Sequence, residues 1–98
     1  MKSKEILLRQ LCEVSAIIAA NTVYGGYNTR TIEYMKGQAE AYSVATLIAY
    51  GKIKSIEEVE SEENMEFLAK LVRDTIKNGF STGNKKLDDA LSFSYQLA

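Results

Sequence analysis

Thr29 to Tyr50, TRTIEYMKGQAEAYSVATLIAY, lies between Gly25-Gly26 and Gly51 and carries no charged residue from Ala41 onward. Glycine supplies the positive φ that ends a helix, and Asn28 or Thr29 has a side chain able to start one. The stretch therefore reads as a helix, the central one of the chain. Gly37, Ala41, Ala45 and Ala49 recur along it at four-residue spacing. A ridge with so little side-chain bulk lets another helix axis come close. The expected counterpart is Ser15, Ala16, Ala19 and Ala20 of the preceding segment. Charges are confined to the first half, at Arg30, Glu33, Lys36 and Glu40. A second half apolar on all sides is expected to be enclosed on several sides, and in so short a chain part of that enclosure is expected from a second copy.

Upstream, Ser3 to about Val23 sets Leu7, Leu11, Val14 and Ile18 on one face and Lys4, Arg9 and Glu13 away from it. That is the 3.6-residue period of a half-buried helix, with Ser3 as N-cap and Glu5 in its first turn. Ile6 and Ile17 widen its apolar arc. The short Tyr24-Gly-Gly-Tyr-Asn28 link makes the first two helices antiparallel neighbours. Downstream of Gly51, Ser55-Ile-Glu-Glu58 has capping-box spacing and predicts a short helix over 55–60. A third helix, 61–78, carries an inner stripe of Met65, Leu68, Leu71, Val72, Thr75 and Ile76. Asn78-Gly79 ends it and Phe80 is expected to fold back on its last turn. Asn84 caps a fourth helix, 85–97, which buries Leu87, Ala90, Leu91 and Tyr95 or Ser94. The expected architecture is a single all-α domain over 1–98, a compact antiparallel four-helix bundle-like fold with helices at about 3–23, 29–50, 61–78 and 85–97.

Composition narrows the function classes. The 98 residues hold 12 basic and 13 acidic side chains for a net charge of −1, which offers a polyanion no bulk attraction. Nucleic acid is therefore not an expected partner. The longest uncharged run, Val14 to Thr29, contains Asn21, Thr22, two glycines and Asn28, too polar and short to span a bilayer. Glu5, Arg9 and Glu13 interrupt what would be the apolar part of a signal peptide. The one cysteine, Cys12, sits among Leu8, Leu11 and Val14 and reads as a small buried hydrophobe in a reducing cytoplasm.

There is no histidine. Ser-His and Cys-His nucleophilic catalysis are thereby excluded, and the commonest zinc ligand is missing. Carboxylates are the remaining route to chemistry. Glu62, Glu63 and Glu66 lie within one turn, and Asp88 and Asp89 on the next helix could join them around Mg²⁺. Glu62-Glu63-Asn-Met-Glu66 resembles the Glu-Glu-x-x-Glu element of the all-helical MazG-type nucleotide pyrophosphohydrolases. That resemblance implies a Mg²⁺-dependent phosphohydrolase, but the Glu-x-x-Asp such enzymes need is absent, since Lys85 stands three residues before Asp88.

Two further features point to binding. Tyr24, Gly25, Gly26, Tyr27, Asn28 and Arg30 combine a glycine loop, a helix N-terminus, an arginine and two rings, which would suit an anionic ligand with a flat ring, such as a nucleotide. Tyr34, Tyr42 and Tyr50 are spaced by eight and so spiral around their helix. With Ala45 and Ala49 they form the expected interface, since tyrosine joins large contact area to a polar tip. The expected function is a non-catalytic adaptor, regulator or inhibitor, of the kind phages and mobile elements carry, acting through helical surfaces as a homo-oligomer. No enzyme activity, cofactor or metal is expected of it.

Overall fold

Each helix starts on the side chain of the residue before it, which accepts an otherwise unpaired N–H of the first turn. Ser3 accepts from Ile6 (3.2 Å), Asn28 from Thr31 (2.8 Å), Ser61 from Asn64 (3.1 Å) and Asn84 from Leu87 (3.3 Å). The computed structural model describes residues 3–55, 57 and 61–96. Its helices are α1 (Lys4–Tyr24), α2 (Thr29–Ala49), α3 (Glu62–Lys77) and α4 (Lys85–Ser94), with no strand among the described residues. The short helix expected at 55–60 lies largely outside those residues. The fourth helix ends earlier than expected, at Ser94 with Tyr95 as its cap.

Two helices end as Schellman motifs, in which the chain turns left-handed at a glycine. At Gly51 (φ 71°) the N–H of Lys52 reaches the Leu47 carbonyl and that of Gly51 the Ile48 carbonyl. At Gly79 (φ 97°) the N–H of Phe80 reaches Thr75 and that of Gly79 reaches Ile76. The residues that follow are sent inward as a result. Phe80 folds back and is buried, as expected, and Ile53 plugs the core from the link after α2, where no apolar role was expected of it.

α1 is the hub. It packs most extensively on α2, next on α4 and then on α3, while α2 touches α3 only slightly. The main core joins Leu8, Leu11, Cys12 and Ala16 of α1 to Leu47, Ile53, Leu68, Val72, Phe80 and Leu91. Lys4 lies over the Tyr50 ring and Lys86 over the Tyr24 ring, so α2 and α4 both run antiparallel to α1. By length and hydropathy alone α1 could cross a membrane (mean hydropathy 1.4), but here it is the shared wall of the three other helices.

Several expectations about α2 are corrected. It is not the central helix, and the first half of its small-residue ridge is open to solvent. Gly37 and Ala41 are exposed, and a Cβ added at Gly37 would have no neighbour within 4 Å. Of the small residues of α1, Ala16 lies in the main core with Leu47, while Ala19 and Ala20 meet Ala90 of α4 in a second cluster. α2 buries Ile32, Thr46 and Leu47, and Ala39 and Tyr42 lie partly buried against the core. Most of the second half is at least partly covered, as expected, and only Ala41 and Ile48 stay exposed there. Met65 of α3 also points outward, 52% exposed, while Asn64, Leu68 and Val72 form the buried row.

Candidate interaction surface

Successive residues of a helix are turned by about 100°. Arg30, Tyr34, Gly37, Ala41, Ala45 and Ile48 therefore fall on one side of α2, opposite the side that carries Ile32, Thr46 and Leu47. Tyr34 is 62% and Ile48 47% exposed, and Gly37 and Ala41 are open to solvent between them. Glu33, Lys36 and Glu40 rim the charged half of this face, and the part from Ala41 to Ile48 has no charge. The Gln38 amide donates to the Tyr34 hydroxyl (3.2 Å), which holds the ring along the helix. Thr46, fully buried, donates its hydroxyl to the Tyr42 carbonyl (2.6 Å), so the inner face carries no unpaired polar group at that point.

The expected interface residues divide. Tyr34 belongs to the open face, and Ala45 is half-buried at its edge. Tyr42 packs on the core, and Tyr50 meets Phe67 edge to face at 5.6 Å, so these two rings are used within the chain. Ala49 is half-buried on the flank. The eight-residue spacing turns each ring by about 80°, enough to send one outward and two inward.

The expected anion site is an open loop. Tyr24, Gly25, Gly26, Tyr27, Asn28 and Arg30 are all exposed. The Asn28 side chain takes up the Thr31 N–H, and Gly25 and Gly26 have φ of 73° and 94°. Lys86 reaches the Tyr24 ring (4.7 Å), a cation that loop spacing could not reveal because it comes from α4.

The carboxylates do not converge. Glu62, Glu63 and Glu66 stand exposed on α3. Asp89 is paired with Lys85 at 2.8 Å. Asp88 is spent on the loop before α4, accepting from the Thr82 N–H (2.8 Å), the Thr82 hydroxyl (2.7 Å) and the Ser81 hydroxyl (2.5 Å). Among the described residues no three His, Cys, Asp or Glu side chains are grouped to hold a metal ion.

No family model, curated protein or solved structure matches the chain.

Proposed function

We propose that the protein is a non-catalytic interaction module that works through the outer face of α2, first with a second copy of itself. The observation that supports this is the open stripe of Tyr34, Gly37, Ala41 and Ile48, exposed among the described residues. Gly37 and Ala41 let two helix axes approach closely, and the flanking Tyr34 and Ile48 supply area to bury. The stripe can face its own copy because small residues occupy its middle and larger ones its ends. A reducing compartment, the cytoplasm, suits a chain whose one cysteine is buried.

Sedimentation equilibrium over a wide concentration range tests the reading. A concentration-dependent dimer is expected, and Ala41→Glu, at an exposed position, is expected to shift it at least about tenfold toward monomer by burying unpaired charge. A strict monomer at high concentration, or a dimer indifferent to Ala41→Glu and Gly37→Glu alike, rejects it.

A further inference from the structure

Leu8 and Phe80 form the floor of a half-open cleft of about 260 Å³ between the start of α1 and the end of α3, with Glu5, Arg9, Thr75 and Asn78 around its mouth. We propose that this cleft binds a small zwitterion, a free α-amino acid with an apolar side chain. The volume lies below the roughly 300–1,000 Å³ of pockets for drug-sized ligands, so the occupant is small.

The argument rests on how charge is distributed around the floor. Arg9 lies with its guanidinium carbon 5.2 Å from the centre of the Phe80 ring. A guanidinium drawn to a ring keeps N–H donors for a carboxylate. Glu5 precedes Arg9 by four residues, the favourable order for a helical ion pair, yet the two do not close one. The Phe80 ring holds Arg9 instead, so each charge stays available to a third party. Thr75 already donates its hydroxyl to the Leu71 carbonyl (2.7 Å) and can only accept further bonds. The α3 C-terminus adds the negative pole of its dipole beside it. Around the mouth, Glu5, Thr75 and the helix end favour an ammonium, and Arg9 favours a carboxylate. Leu8 and Phe80 beneath them suit an aliphatic side chain. A simple anion would meet Glu5 and a simple cation Arg9, so a ligand bearing both charges fits best.

Titration of the full ¹⁵N-labelled chain with L-leucine tests this. Saturable shifts of the Leu8, Arg9, Asn78, Gly79 and Phe80 amides are expected. Leucine methyl ester, which lacks the carboxylate, and N-acetyl-leucine, which lacks the ammonium, are expected to bind about tenfold or more weakly. Arg9→Gln and Glu5→Gln should each weaken leucine by about the same factor with unchanged helicity, and Lys70→Gln should not. If Arg9→Gln unfolds, Arg9→Lys reads the same point, since it keeps the charge and loses the fork. Absence of saturable shifts with leucine, phenylalanine and glycine overturns the proposal, as does equal binding of the two blocked derivatives or indifference to both variants. Ala41→Glu should leave the titration unchanged, so an empty cleft and a failed self-association are read separately.

Discussion

Cys12 has none of its surface exposed, and burial pushes its thiol up to about 12 from an ordinary value of 9.0, against a smaller lowering by Arg9 and alongside a raising by Glu13. The folded value lies above the unfolded one, so the stabilising contribution is complete below about 9 and is lost as pH rises toward about 12. Alkaline melting curves should therefore fall over that window, and Cys12→Ala should flatten part of the fall. A thiol reagent should label the native protein only through unfolding. Asp88 acts at the acid end. Burial opposes its ionisation, but the hydroxyl bond from Ser81 and the backbone and hydroxyl bonds from Thr82 outweigh it and hold its carboxyl below the usual range. Its contribution is present above the unfolded carboxylate pKa and lost as pH falls through the lowered folded one. Asp88→Asn should cost about 1 kcal/mol at neutral pH by chemical denaturation and reduce the acid dependence. The sequence shows Asp88 near a helix start, and its commitment to the preceding loop comes from a backbone path that no residue spacing encodes.

At the scale of elements, cations lie on rings at the edges of the seams that the apolar core closes. Among the described residues Lys4 lies over Tyr50, Arg9 over Phe80, Lys52 over Phe67, Arg73 over Tyr95 and Lys86 over Tyr24. Each joins two elements. Lys52→Met should lower stability by about 0.5–1 kcal/mol in denaturant unfolding, and its effect should diminish in high salt less than that of the exposed Lys85–Asp89 pair, which contributes little to begin with. Leu47, fully buried, fixes α2 on the core. Leu47→Ala should cost about 2–5 kcal/mol through lost burial and the cavity left behind. Ala90 is buried against Ala19 and Ala20, so Ala90→Leu should destabilise by about 1–3 kcal/mol through overpacking. Both values are read from urea unfolding midpoints at constant slope. These elements differ in how well the sequence announces them. Caps and glycine ends are local, and Ser3, Asn28, Ser61, Asn84, Gly51 and Gly79 are legible because each acts on residues within one turn. Ile53 was not, because a single apolar residue between two lysines has no period to reveal its burial.

For the whole molecule, a Cα radius of gyration of 13.1 Å matches about 13 Å for a folded chain of a hundred residues. α1 is the element that every other helix packs on, and its amides should be the slowest to exchange with solvent, approaching the rate set by global unfolding. α2, which keeps an open outer stripe, should open first, and self-association should slow its exchange selectively. Hydrogen-exchange mass spectrometry at two protein concentrations reads both effects. The sequence by itself determined the class of fold and where the four helices begin, because periodicity, caps and glycine breaks are short-range physics written in adjacent residues. Which helix is central, and which face of α2 stays open, only the tertiary structure decided. Gly37, Ala41, Ala45 and Ala49 could pair equally well with any small-residue ridge, and Ala19 and Ala20 of α1 found Ala90 on α4. Small side chains permit close approach without specifying a partner; that choice is made by the larger residues, Leu47 on one face and Leu91 on another, whose burial in one shared core sets how the helices lie around α1.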